Sequence, residues 1–347
     1  MEEEMSRKFF PTAIVLLVLT LAPFIANAAA PSYEGKVIRI IVGHSAGGGF
    51  DTYARMVGRH LGRHLPGNPT VIVENMVGAG SLIAGKYLYS RAKPDGLTLG
   101  TLTSQLVMAQ ILGREGVDID TRKFEWIGVP VQDHVVCTFT KASGITSMEK
   151  WIAAKAPVKM GGTAPGDTTA DVPRILKAAL QLPIQLVEGY KGTAEIRLAS
   201  ESGEVAGSCW QWEAIKVTWS KALESGDVVT VLQATPKPLP DLPKVPLASS
   251  YAKTEEAREL IKMGIYEPSI ITRPFFLPPG TPKDQVQVMR KAFQETMKDP
   301  GLLEEAKKSN LDINPMTGEE VEEIIKGLFS INPSVVSKLK EILYPKK

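Results

Sequence analysis

Hydrophobic and polar positions along the chain switch repeatedly between a period near two and a period near 3.6. KVIRIIV is a short β-branched run, and beyond a glycine-rich turn residues 52–65 place Tyr53, Val57, Leu61 and Leu65 on one helical face. That is one β-loop-α unit. PTVIVEN, a helical GAGSLIAGKYLYSRA and the strand LTLGTLTS continue the series, so a mostly parallel sheet with helices packed against it is expected. Residues 129–140 read as one further strand, whose start at Gly128-Val129-Pro130 marks passage to a second lobe.

The second series repeats the plan with VKMGG, a helix over 169–180, IQLVEG, a helix over 193–200, VAGSCW and a helix over 213–225. VVTVLQAT then leads the chain back, and TPKPLPDLPKVP forms a rigid, non-helical connection. IYEPSIITRPFFLPPG, a helix over 282–298 and a charged helical tail complete the first lobe. The fold class expected is therefore α/β with two lobes, divided as 29–133, 134–233 and 234–347. The hinge is expected in the crossovers 128–136 and 228–235.

Residues 1–28 carry a different pattern. Arg7 and Lys8 precede an apolar stretch that ends in Ala26-Asn27-Ala28, the small-x-small site of a cleavable secretory signal, which implies export to the periplasm. A retained anchor is the competing reading, because residues 11–30 nearly suffice to span a bilayer; Pro23 and the terminal alanines favour cleavage. Glu2, Glu3 and Glu4 are out of place in such a signal and point to Met5 as the start.

Composition narrows the classes. Of 347 residues 44% are hydrophobic and 22% charged, which excludes disordered and polytopic membrane chains. Forty basic residues against 38 acidic ones leave no electrostatic footprint for nucleic acid. Cys137 and Cys209 are the only cysteines, too few for a disulfide-dense scaffold or a four-cysteine zinc site. Their apolar, strand-like surroundings favour two free buried thiols over the single bridge that export would permit.

The first βα turn, Gly43-His44-Ser45-Ala46-Gly47-Gly48-Gly49-Phe50-Asp51, admits three readings. GHSAG fits a nucleophile elbow centred on Ser45, but too little chain precedes it for an oxyanion-hole loop, and no histidine follows His134 to serve as base. A dinucleotide or P-loop reading lacks both the second glycine spacing and a G-K-[ST]. The third reading needs only backbone: residues 46–50 let amides at a helix start approach a carboxylate closely. Asp51 either caps that helix or touches the ligand, and the glycines alone could also make a plain tight turn.

A matching loop lies between strand and helix in the second lobe. There Thr163, Ala164, Gly166, Asp167 and Thr168 could grip the ligand from the opposite side, with helix capping the alternative for Thr168 and Thr169. Trp210 and Gln211 end a strand that would face the same cleft, unless Trp210 is simply buried beside Trp212. His60 and His64 stand at i, i+4 without a third ligand and read as solvated helix-surface residues; Glu319, Glu320, Glu322 and Glu323 read as a solvated face. No catalytic residue, cofactor or metal is expected.

These motifs together resemble the substrate-binding proteins of tripartite tricarboxylate transporters, the TctC-like Bug family. The likeness runs through KVIRIIV with AGGGFDTYAR, VIVENMVGAGSLIAG, AKPDGLTLG, VEGYKGTAE, LPDLPKVP and FFLPPGTPKDQV. It implies the two-lobed type II periplasmic binding protein fold, a Venus flytrap, closing on a small organic acid. It also implies membrane transporter subunits as partners, no nucleic acid, and a monomeric receptor. Residues 46–51 and 163–168 would then hold one carboxylate, partly through bridging water, and Thr103 and Ser104 would line the cleft. Three departures stand out: GHSAGGG where the family has PFAPGGG, Pro165 and Asp167 in a usually glycine-serine-rich loop, and Trp210-Gln211 where an aspartate or asparagine is usual. Asp167 would repel a second carboxylate unless paired, which points to a monocarboxylate or aromatic acid. A secreted esterase using Ser45 and a receptor serving a sensor kinase are the alternatives.

Overall fold

The computed structural model describes residues 32–345, so the expected signal segment lies outside the described residues. The first lobe is built on β1 (Val37–Val42), flanked in parallel by β2 (Thr70–Asn75) and β3 (Thr98–Thr101). Ile38, Ile40, Ile41 and Val42 are buried, as a strand covered on both faces requires. The sheet continues through β4 (Glu125–Val129), β10 (Phe275–Leu277) and β11 (Met316–Thr317) in the order β11-β4-β10-β3-β1-β2. The second sheet contains β5 (Val135–Thr140), β6 (Val158–Gly162), β7 (Ile184–Glu188), β8 (Gly207–Gln211) and β9 (Val228–Ala234) in the order β7-β6-β8-β5-β9.

Both sheets are mixed. The βα repeats supply the parallel ladders β3-β1-β2 and β7-β6-β8, while the crossover strands β5 and β10 pair antiparallel with both neighbours. Residues 129–140, expected as one strand, divide into the end of β4 and the whole of β5 in different sheets. Pro130 has no N–H to give a ladder, and the Asp133 carboxylate turns the chain by accepting the His134 N–H at 2.7 Å. The helix expected over 213–225 likewise breaks into Trp212–Thr218 and Ser220–Ser225. Trp219, at the break, is buried against Trp210, ring centroids 5.2 Å apart, and donates its indole N–H to Glu201 at 3.0 Å.

Two expectations about side chains are overturned. Cys137 and Cys209 are not free thiols: they face each other directly across the antiparallel β5-β8 ladder, Cα atoms 4.0 Å apart, and form a disulfide. Apolar surroundings at each cysteine were two views of one core. His60 and His64 are not solvated either. His60 is buried and meets Glu305 at 2.9 Å, and His64 meets Asp299 at 2.8 Å, tying the helix Gly49–Leu61 and the turn after it to the helix Pro300–Lys308. Among the described residues no group of three potential metal ligands occurs, and no helix is long and apolar enough to cross a membrane. The acidic face near Glu320 is solvated as expected, with Glu319, Glu320 and Glu323 exposed; within it Glu319 and Glu322 hold Arg290, and Glu320 closes a capping box with Thr317.

Helices that follow the second sheet in sequence return to pack on it. Glu255–Ile261 and Pro333–Leu343 both rest on the helix Thr168–Leu180, burying Leu260, Leu339 and Leu343 beside Ile175 and Leu176 in one apolar cluster.

Candidate functional site

The chain leaves β1 through residues 43–48 and enters the helix Gly49–Leu61 from an extended Gly48, with no side chain capping the helix start. The periodicity began at Thr52 because glycine leaves no apolar imprint. Asp51 sits inside the first turn, where its carboxylate accepts from the Gly47 N–H, Arg55 Nε and Asn75 Nδ2, each at 2.9 Å. Burial raises its pKa, but those donors outweigh burial and hold it below the usual carboxylate range. Asp51 therefore braces the loop by holding the Gly47 N–H and does not cap the helix start.

The second-lobe loop follows β6 and ends at Asp167, which caps the helix Thr168–Leu180 by accepting the Thr169 N–H at 3.3 Å. Thr163 donates its N–H to the Thr169 hydroxyl at 3.0 Å, and Gly166, at φ +85°, gives its N–H to Asp171 at 2.9 Å.

The two loops meet. His44 Nε2 lies 2.6 Å from Asp167 Oδ2, with both side chains buried. Burial would raise the Asp167 pKa, but the electrostatic pull and hydrogen bond of His44 outweigh it and keep the carboxyl low. An ionised carboxylate only accepts, so Nε2 carries the proton. The His44 ring stacks on Phe50 with centroids 4.1 Å apart, and its Nδ1 lies 3.4 Å from the Ser81 hydroxyl. Ser45 donates its N–H to the Lys191 carbonyl at 3.4 Å. Two glycines permit this approach: a Cβ on Gly48 would come within 2.9 Å of the Thr193 hydroxyl, and one on Gly192 would collide with the Ser45 hydroxyl.

Between the loops remains a cavity of about 10 Å³, close to the room one water needs. A second, of about 220 Å³, lies beside it between residues 78–81 of the first lobe and residues 163–167 and 189–191 of the second. Residues 78–81 all have positive φ, and Ala79 and Ser81 adopt the left-handed region at a cost of about 1–2 kcal/mol each. The Ser81 hydroxyl helps fix that turn by donating to the Gly43 carbonyl at 3.3 Å.

Of the residues singled out from sequence, Gly48, Gly49, Phe50, Thr163, Asp167 and Gln211 border the small cavity, and Ala164 borders the larger. Ala46 and Gly47 are exposed at the rim. Thr168 is one shell back, its hydroxyl accepting from Gln211 Nε2 at 3.1 Å, and Gly166 shapes the loop. Trp210 is wholly buried against Trp219 and borders neither cavity. Thr103 and Ser104 are buried away from both; Ser104 donates to the Pro268 carbonyl at 2.6 Å and Thr103 accepts the Gln105 N–H at 3.3 Å. Ser45 lacks an activating base: its hydroxyl has no hydrogen-bond partner among the described residues, and His44 is turned to Asp167 and Ser81. The sequence reading passed over His44, Ser81, Lys191 and Thr193 as site residues. The VEGYKGTAE string held the signal for the last two.

A second interlobe network lies where the chain crosses between sheets. Arg273, buried and at φ +56°, pairs with Asp133 and stands over the rings of Tyr53 at 4.9 Å and Phe50 at 5.5 Å. Glu213 accepts from Lys216 at 2.8 Å and from the Asp312 N–H at 2.9 Å; burial, then the charge of Asp133, pushes its pKa up to about 7. Phe50 thus touches the cleft on one side and the crossing on the other.

Comparison with known proteins agrees with this architecture. The model for the tripartite tricarboxylate transporter family receptor, TctC, matches residues 54–338. The chain belongs to that receptor family. A Cupriavidus necator protein described as "UPF0065 protein in gbd 5′ region" is 26% identical over 340 residues, 94% of each chain. Among solved structures, the periplasmic binding protein BugD superposes with a TM-score of 0.74 at 22% identity, covering 89% of this chain and 98% of its own. MatC from Rhodopseudomonas palustris, solved with bound malate, gives 0.68 at 18% identity, covering 88% and 98%. An R. palustris protein solved with adipate gives 0.70 at 19%, covering 87% and 96%. This receptor has the two-lobed fold of the periplasmic binding proteins.

Proposed function

We propose that this receptor captures a small organic carboxylate between its lobes in the periplasm and delivers it to the membrane subunits of a tripartite tricarboxylate-type transporter. The observation that carries the reading is the uncapped helix start at residues 48–50 facing the second-lobe loop across a small cavity. Amides there offer a carboxylate hydrogen bonds and the positive end of a helix dipole, and Gln211, Thr163 and Thr193 stand opposite. Relatives solved with malate and adipate are consistent with an organic acid as ligand.

Capture requires the lobes to part, because His44, Asp167, Ser45 and Thr193 otherwise close the entrance. Residues 130–134 and the chain after Ala234 form the hinge in this reading, dividing the chain near 133 and 233, and residues 1–28 direct export and are removed. The ligand stabilises the closed form by touching both lobes at once, and the transporter recognises that form. No covalent chemistry is needed. Isothermal calorimetry and thermal shift against a panel of aliphatic and aromatic acids test the proposal: at least one acid should bind and raise the melting temperature. A panel without a hit would overturn it.

A further inference from the structure

Each lobe's helix start holds an anion, Asp51 in the first turn of Gly49–Leu61 and Asp167 at the start of Thr168–Leu180, but of the two only Asp167 borders the cavities between the loops. Asp167 places its own carboxylate at the start of Thr168–Leu180, accepts the Thr169 N–H, and takes the proton-bearing Nε2 of His44 from the opposite lobe. A protein carboxylate thus stands where a ligand carboxylate would otherwise find a helix dipole and an imidazole. Among the described residues that line the two cavities, Asp167 and Lys191 bring charge and His44 is engaged with Asp167; Lys191 is exposed, where solvent screens it. Arg55 is held by Asp51, and Arg114 points a guanidinium nitrogen at the Ala79 carbonyl, 3.4 Å away.

We propose that the His44–Asp167 pair is a specificity determinant that restricts this receptor to monoanions, small monocarboxylates whose far end is uncharged. One carboxylate is matched by the amides of residues 48–50. A second would be carried in beside the buried Asp167 carboxylate, where His44 is already engaged and Arg273, paired with Asp133 and set behind Gly49, borders neither cavity, and like charges so placed repel. The pair also explains how a carboxylate can be tolerated in the cleft of a carboxylate receptor: His44 hydrogen-bonds it from the opposite lobe whenever they close. This inference rests on the solute-binding reading and names the ligand class for it.

The test is calorimetry on the intact mature protein with two matched pairs of acids, butanoate against succinate and benzoate against terephthalate. Wild type should favour the monoacid of a pair at least tenfold, a result that needs no variant to fold. In Asp167→Asn the amide retains the helix cap and the hydrogen bond to His44 but removes the charge, so the dicarboxylate-to-monocarboxylate affinity ratio should rise at least tenfold. His44→Ala, which removes the donor to Asp167, should weaken both members of each pair, and undiminished binding of both would count against the pair's role. The inference is overturned if wild type binds the diacids as tightly as the monoacids, or if the ratio in a folded Asp167→Asn stays within threefold of wild type. Acids that bind with an unresponsive ratio overturn this inference alone; absence of binding by every acid in the wider panel removes the solute-binding reading with it.

Discussion

Asp171 carries a carboxylate into the interior with one oxygen bonded to the Gly166 N–H and the other without a partner among the described residues. Burial pushes its pKa up to about 7, and the Gly166 N–H and Arg174 recover only part of the shift. A carboxyl of the unfolded chain titrates near 4, so between about pH 4 and 7 the folded protein holds the extra proton. Its stabilising contribution is complete below that window and is lost as pH rises through it. Asp171→Asn keeps an acceptor for Gly166 without the charge. Calorimetric melts should show the variant gaining on wild type from pH 5 to pH 8; a gain that shrinks over that range would refute the assignment. At this scale the sequence was legible only locally. Asp51 could be recognised as cap or contact, but not that Arg55 and Asn75 would claim it. His44 and Asp167, 123 positions apart, become partners only when two lobes close.

Elements were more legible than their boundaries. Helices over 168–180 and 193–201 sit where apolar period and turn residues put them, since both signals are local. The break at Trp219 and the division of 129–140 were hidden because a tryptophan stack and a sheet-to-sheet crossing are tertiary events. The disulfide belongs here too, since ladder register alone brings Cys137 opposite Cys209. It closes a loop with a sequence separation of 72, for which chain-entropy arguments give about 4 kcal/mol of stabilisation. Replacing both cysteines by alanine should lower the urea midpoint accordingly, and an unchanged midpoint would show that the ladder holds without the bond.

For the molecule as a whole, closure is governed by how nearly two backbones can touch. Gly48 has φ −89° and ψ 173°, which valine adopts without strain, yet its missing side chain faces Thr193 of the other lobe. Gly48→Val should fold normally, weaken binding of any acid found in the panel at least tenfold, and show no ligand-induced compaction by small-angle scattering. Undiminished affinity would mean that the loops do not approach in the bound form. Two lobes and a glycine-lined entrance were readable from repeated βα units, whereas the packing of late helices on the second lobe was not, because it joins segments far apart in sequence.

That packing bears on how the protein can be handled. Leu339 and Leu343 of the last helix are buried against the helix Thr168–Leu180, while Tyr344 lies near Arg114 of the first lobe. Trimming the tail at Asn332 would therefore strip an oily face and leave a sticky product instead of a shorter receptor. A tag or fluorophore is better mounted beyond Pro345, downstream of the last anchoring leucine.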